Sequence, residues 1–267
     1  MRVSIVQAPI GPMTQEVNRK TIFDAMEEAL KSSPDVIVLP EMWNTGFYPE
    51  RFSADDDYEE ESLRRDLSAF AKEHEVNLVA GSITVWDHDA RANRSFIYDR
   101  AGALLGTYDK AHLFPMGAEK TYFKPGEKNL AFELDGVPVG IITCFELRMP
   151  EWVRLAVMGR AKILFVPMAW GLSRVPHMHL FARARAVENQ CYVVAVNCTK
   201  LGDYPAMGGG GSCIYDPMGE EVLMTGTEAC VHTVDLDLSK VEEAKDKFDL
   251  FKERRPDLYG KLVSRHE

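Results

Sequence analysis

Long apolar runs are missing from this chain of 267 residues. None approaches the roughly 20 residues that cross a bilayer. A basic excess is missing too. Lys and Arg number 31 against 41 Asp and Glu, a formal net charge of −10. That balance argues against nucleic acid or an anionic membrane as the main partner. Cysteine is sparse, with five residues at irregular spacing and no Cys-x-x-Cys pair. The odd count makes a poor disulfide framework, and a reducing cytoplasm is expected. His177 and His179 have no nearby cysteine or carboxylate to complete a zinc pattern, so no metal site is expected. The run Gly208-Gly209-Gly210-Gly211 lacks the Lys-Ser/Thr of a phosphate loop and reads as a place of close backbone approach. Met1-Arg2-Val3-Ser4-Ile5-Val6 enters a strand directly, without the pattern of a leader peptide. No segment rich in Pro, Gly or Ser divides the chain. One domain over 1–267 is expected, with a core to about residue 237 and a helix and tail from 238.

What is present is alternation. Residues 3–8, 36–39, 77–85, 163–166, 192–197 and 231–236 read as strands, while 15–31, 59–74, 150–159, 179–190 and 238–247 carry helical spacing. Hairpins are expected at 95–108, 130–143 and 212–224. Paired strands plus βα units predict mixed sheets with helices outside. Two apolar strands, at 35–40 and 162–167, each end at a proline, which points to two related halves.

The segment around Cys144 is the most informative. An apolar strand ends at Thr143, Cys144 follows, and Pro150 suits the first turn of a helix. A thiol at the carboxyl end of a buried strand faces the crevice where α/β proteins hold ligands. Taken alone, the segment also fits a buried core cysteine.

Glu41 and Lys110 stand at two further strand ends. If the ends converge, a carboxylate, an amine and a thiol share one site. A free thiol near pKa ~8.5 is mostly protonated at neutral pH, so Glu41 would act as general base. Lys110 would supply fixed positive charge to the tetrahedral intermediate, with the backbone N–H of Phe145 as second donor. One such donor is worth roughly 3–4 kcal/mol of barrier. Glu41 would then protonate the leaving amine and activate water on the thioester.

Leu39-Pro40-Glu41, Asp109-Lys110-Ala111-His112-Leu113-Phe114 and Thr143-Cys144-Phe145-Glu146-Leu147-Arg148-Met149-Pro150-Glu151 resemble, in order, the three motifs of the nitrilase superfamily of carbon–nitrogen hydrolases. The resemblance runs from Val3 to about Tyr259. It implies a four-layer αββα sandwich with two mixed β-sheets and a Glu–Lys–Cys triad. It also implies no metal or organic cofactor, and a homodimer or larger assembly. The stretch Glu119-Lys120-Thr121-Tyr122-Phe123-Lys124-Pro125-Gly126 matches the family's second glutamate, so Glu119 would hold Lys110 charged and orient the substrate nitrogen. Many relatives carry Cys-Tyr-Asp-Leu-Arg-Phe-Pro-Glu at the nucleophile. Here Phe145, Glu146 and Met149 depart from that pattern, and the longer arm of Glu146 alters the hydrogen bonding around the elbow. Arg148 and Glu151 read as structural, pairing within the elbow or across an interface.

The loop Trp170-Gly171-Leu172-Ser173-Arg174 resembles the ω-amidase branch, which hydrolyses monoamides of dicarboxylic 2-oxo acids. Arg174 would clamp the remote carboxylate, and Trp170 and Tyr48 would close the pocket. The helix carrying Arg183, Arg185, Glu188 and Asn189 reads as scaffold or interface, and the tail to Tyr259 resembles tails that cross onto a partner subunit. The expected activity is a cysteine amidase acting on a small amide and water, with 2-oxoglutaramate or 2-oxosuccinamate as substrate. The alternatives are an N-carbamoyl amide hydrolase, an amidase for deaminated glutathione, and an inactive scaffold of the same fold.

Overall fold

The computed structural model describes residues 1–11, 14–47, 60–87, 90–116, 119–158, 160–200 and 208–263. The chain runs through β1 (Arg2–Gln7), β2 (Pro9–Ile10), α1 (Gln15–Leu30), β3 (Val36–Val38), α2 (Glu60–Glu73), β4 (Asn77–Val79), β5 (Ile83–Asp87), β6 (Ala90–Tyr98) and β7 (Leu104–Asp109). It continues through α3 (Glu119–Tyr122), β8 (Leu130–Leu134), β9 (Val137–Ile141), α4 (Pro150–Val157), β10 (Ile163–Met168), α5 (Val175–Asn189) and β11 (Tyr192–Asn197). It closes with β12 (Thr199–Lys200), β13 (Cys213–Tyr215), β14 (Glu221–Met224), β15 (Cys230–Asp235), α6 (Ser239–Lys247) and α7 (Pro256–Val263).

One sheet has the order β15-β1-β3-β4-β6-β5, with β7 added on β6; the other has the order β14-β13-β11-β10-β9-β8. Both are mixed. In the first, β1, β3 and β4 are parallel, and in the second β9, β10 and β11 are parallel. The two look-alike strands of the sequence, β3 and β10, are therefore the middle strands of matching parallel triplets. Parallel strands covered on both faces read as unbroken apolar runs, and every residue of β3 and β10 is buried.

Three apolar clusters define the layers. Val3, Ile5, Val36 and Val38 of one sheet meet Ile141, Ile163, Phe165 and Val194 of the other. On the outer face of the first sheet, α1 buries Ile22 and Met26, and α2 buries Leu63, Leu67 and Phe70. On the outer face of the second, α4 buries Val153 and Ala156, and α5 buries Met178, Ala182 and Ala186. Helix, sheet, sheet, helix is the four-layer αββα sandwich expected from the motifs. No helix among the described residues is long and apolar enough to cross a membrane.

The boundaries differ from the sequence reading in instructive places. The strand expected at 77–85 is two strands, because Gly81 takes a left-handed backbone (φ +61°) and breaks it. Helix α5 begins at Val175 rather than 179; Pro176 lies in its first turn, where a missing N–H removes no helical bond. The tail forms a helix, α7, where the sequence showed only charge and a few aromatics.

Candidate active site

Each functional group sits just beyond a strand. Glu41 follows β3. Its segment is laced to the β4–β5 junction by Ser82 N–H to Pro40 O (3.1 Å), Met42 N–H to Ser82 Oγ (3.0 Å) and Trp43 Nε1–H to Ala80 O (2.8 Å). The approach is so close that a Cβ at Gly81 would stand 2.0 Å from Pro40 O. Lys110 ends β7 and is pinned by its N–H to Asn93 O (3.0 Å) on β6. Cys144 opens a short 3-10 helix over Cys144–Arg148 directly after β9. Its φ of 54° is left-handed, a conformation that disfavours a residue with a Cβ by about 1–2 kcal/mol. Strain of this kind gathers at working sites.

The four side chains meet. Lys110 Nζ lies 2.9 Å from Glu41 Oε1 and 3.0 and 2.9 Å from the two Glu119 oxygens. All are sealed from solvent: Glu41 is 1% exposed, Lys110 and Glu119 0%, and Cys144 4%. Asn93 Nδ2 joins the carboxylates, donating to Glu41 Oε1 (2.9 Å) and Glu119 Oε1 (3.1 Å). Phe114 N–H donates to Glu119 Oε2 at 2.6 Å. Glu41 Oε1 is thus occupied twice, while Glu41 Oε2 accepts from none of the described nitrogens and hydroxyls. Hydrogen bonding couples the Cys144 thiol to this same carboxylate.

Burial sets the protonation states. It pushes Glu41 above the ordinary 4.5, and the ammonium of Lys110 only partly opposes it. On Lys110, burial pulls downward, but Glu119 and Glu41 prevail and hold the ammonium well above 10.5. Burial and then the Glu41 charge push the Cys144 thiol well above 9.0. The resting nucleophile is therefore a thiol, and reaction needs a base beside it.

A pocket of about 280 Å³ opens over the sulfur, lined by Phe47, Phe114, Phe145, Ala169, Trp170, Arg148 and Arg174. Phe145 belongs to the first turn of the elbow helix, where amides lack an acceptor inside the helix. Trp170 is locked by Asn197, whose Oδ1 accepts from Trp170 N–H (2.7 Å) and whose Nδ2 donates to Trp170 O (2.9 Å) and Gly210 O (2.7 Å). Arg174, in the 3-10 turn Leu172–Arg174, lies 5.0 Å from the centre of the Phe114 ring. Tyr48 lies outside the described residues.

Arg148 was expected to pair within the elbow or across an interface. It forms no ion pair in the elbow; its guanidinium lies over Trp170 (4.6 Å) and Phe181 (5.0 Å) at the pocket wall. Glu151 is exposed in the first turn of α4, where a carboxylate complements the helix dipole. Glu146 anchors the elbow. Its Oε1 accepts from Ala111 N–H (2.8 Å) and His112 N–H (3.0 Å), and its Oε2 from Thr143 N–H (2.7 Å) and the Tyr108 hydroxyl.

Asn93, Phe47, Phe114 and Asn197 were missed in the sequence. The only signal for Asn93 is a polar residue inside a buried strand, and Phe114 lies within the lysine motif itself.

A sealed thiol, an ammonium and two carboxylates at one end of an αββα sandwich define a class: hydrolases that attack a carbonyl carbon with cysteine. The profile of the carbon–nitrogen hydrolase family matches residues 2–246, and the chain belongs to that family. It is 37% identical to 2-oxoglutaramate amidase of Bacillus subtilis over 84% of this chain and 86% of that protein. It is 30% identical to the omega-amidase NIT2 of Xenopus tropicalis over 97% and 96% of the two chains. An amidase from Nesterenkonia sp. AN1 superposes with a TM-score of 0.86 at 25% identity, covering 98% of this chain and 96% of that one. In a glutamate-to-glutamine variant of that amidase, the acetamide moiety of fluoroacetamide is added covalently to the active-site cysteine.

Proposed function

We propose that the protein is an ω-amidase that releases ammonia from the monoamide of a dicarboxylic 2-oxo acid, with Cys144 as nucleophile and Glu41 as base. The observation that carries this reading is a buried Glu41 carboxylate, with Oε2 left without a partner among the described residues, coupled to the Cys144 thiol beneath a pocket walled by two arginines. Glu41 takes the thiol proton as sulfur attacks the amide carbon. The carbonyl oxygen turns negative near the Phe145 amide. The Lys110 hydrogens already face Glu41 and Glu119, so its ammonium acts on that oxygen through its field. Glu41 hands the proton to the departing nitrogen, and ammonia leaves a thioester. Water then attacks, deprotonated by Glu41, and the acid departs as the thiol re-forms. Glu119 and Asn93 hold Lys110 and Glu41 in register. Arg174 receives the substrate's remote carboxylate, and Trp170 closes the wall.

The relatives named for 2-oxoglutaramate and ω-amides support this choice of substrate. All five cysteines are free thiols, which supports residence in a reducing cytoplasm. The inter-sheet core joins strands from the whole length of the chain, which supports a single domain. Apolar side chains left exposed on α4 and α5 support a second copy of the chain as partner.

Ammonia release from 2-oxoglutaramate by the purified protein tests the reading, with N-carbamoyl amides assayed beside it. Turnover is expected with the 2-oxo-acid amide, and Cys144→Ala should remove it while leaving a folded protein. Turnover of N-carbamoyl amides alone would overturn the substrate assignment.

A further inference from the structure

Arg148 is a charge without a counter-ion. It is half-buried, and among the described residues it forms neither a hydrogen bond nor an ion pair. Its contacts are the faces of Trp170 and Phe181. Burial lowers its pKa, and the nearby positive charge of Arg174 lowers it further. Two cations therefore border one aromatic-walled hollow that ends at Cys144. Desolvating a cation beside a like charge is unfavourable, and it persists where something else compensates. A guanidinium held over aromatic rings has its N–H groups unpaired among the described residues, and their planar fork matches a carboxylate. The stack is itself fixed, since Asn197 holds the Trp170 backbone through two hydrogen bonds and is tied to Gly210 O by a third.

We infer that Arg148 is a specificity-determining contact for the carboxylate of the amide substrate, forming with Arg174 a two-guanidinium site that selects ω-amides of dicarboxylic acids over neutral amides. The inference rests on the ω-amidase reading for its substrate class and assigns the anionic end of that substrate to a residue four positions beyond the nucleophile. The amide carbon sits at Cys144, and the far carboxylate lies against the aromatic wall.

Arg148→Met tests it, because the unbranched methionine keeps the stem and its packing while removing the charge. The value of kcat/KM for 2-oxoglutaramate should fall at least tenfold more than the value for butyramide. Equal falls for both would make Arg148 a packing residue and overturn the inference. Arg148→Gln is read in the same way should the methionine variant fail to fold. A second readout avoids turnover: 2-oxoglutarate should bind Cys144→Ala at least tenfold more tightly than Cys144→Ala/Arg148→Met in a calorimeter. Equal affinities would also overturn it. Failure of the wild-type protein to hydrolyse any 2-oxo-acid ω-amide would remove the substrate reading, while a tenfold difference in 2-oxoglutarate affinity would still uphold the anion site.

Discussion

At the scale of the residue, the site works by keeping its nucleophile quiet. Many reactive cysteines are activated by a lowered pKa. Here burial and the Glu41 charge raise the Cys144 pKa, so the thiolate forms only as Glu41 takes the proton. The acid limb of the activity should then belong to Glu41. Its pKa is raised above 4.5, so kcat/KM should already decline at a pH above that value and vanish as the carboxylate is protonated. Alkylation of Cys144 by iodoacetamide, followed from pH 4 to 9 by mass spectrometry, should share the limb. Glu41→Gln should lower kcat by about 10²–10⁴-fold, the span of a general base. Its stability should move the other way. A carboxylate whose folded pKa is raised disfavours folding when ionised, and the penalty fades as pH falls through that pKa. A neutral glutamine should therefore melt at or above the wild-type temperature near pH 7. A strongly lowered melting temperature would mean that the Glu41–Lys110 pair holds the fold together. That Glu41, Lys110 and Cys144 come together was legible in the sequence because each stood past an apolar strand, in three motifs that follow the family's order. The surroundings of Arg148 were not legible, because nothing local says whether an arginine four residues past Cys144 turns toward an acid or a pocket; within this chain the packing of Trp170 and Phe181 decides that.

At the scale of the element, the elbow is held by one buried carboxylate. Glu146 accepts from the amides of Ala111 and His112, next to Lys110, and from the amide of Thr143, next to Cys144. Tyr108 adds its hydroxyl and is itself steadied by Trp152 Nε1–H at 2.8 Å. The departure noticed in the sequence, glutamate in place of aspartate, thus has a consequence: the longer arm spans two catalytic segments. Glutamine has one oxygen and one NH2, so Glu146→Gln strands one of the two donor pairs. A buried donor left unpaired costs about 1–3 kcal/mol. In a chain of this size, that lowers the melting temperature by roughly 2–4 °C per kcal/mol. We expect kcat to fall at least tenfold with KM within threefold, because the distance from Lys110 to Cys144 loosens while the pocket wall stays in place. A lowered melting temperature with unchanged kcat would confine Glu146 to stability. Element types were legible within the sandwich, since period and apolar content suffice for strands buried on both faces, but not in the tail, where α7 went unread. Element edges were not. The break at Gly81 arises from its approach to Pro40, a contact between segments 41 residues apart, and no local pattern encodes it.

At the scale of the whole molecule, the parallel triplets β1-β3-β4 and β9-β10-β11 place the Glu41 and Cys144 segments past the carboxyl ends of β3 and β9, in two facing sheets. Closing the inter-sheet core therefore assembles the site, and the amide of Glu41 donates to Met168 O at the end of β10 across that junction (3.3 Å). The sequence showed the two halves through their look-alike strands. It did not show which outer face stays open. The second sheet's helices leave Leu155 of α4, Met158 at its C-terminal cap, and Leu180 and Val187 of α5 exposed, Leu180 by 64%. The tail extends this face: Arg154 of α4 stacks on Phe251 (4.8 Å), and Leu258 and Tyr259 of α7 remain exposed. Apolar residues clustered on neighbouring helices mark association surfaces, and on the proposed homodimer an isologous contact between two copies would cover this one without leaving an open end. Sedimentation equilibrium should give twice the chain mass. A glutamate at position 180 would lie opposite its symmetry mate or against apolar residues of the partner, so Leu180→Glu should shift the equilibrium toward monomer. Leu104→Glu, on a strand of the opposite sheet and also exposed, at 40%, should leave it unchanged. A monomer in the unsubstituted protein, or equal dissociation by both substitutions, would show that this helical face is not where the copies meet.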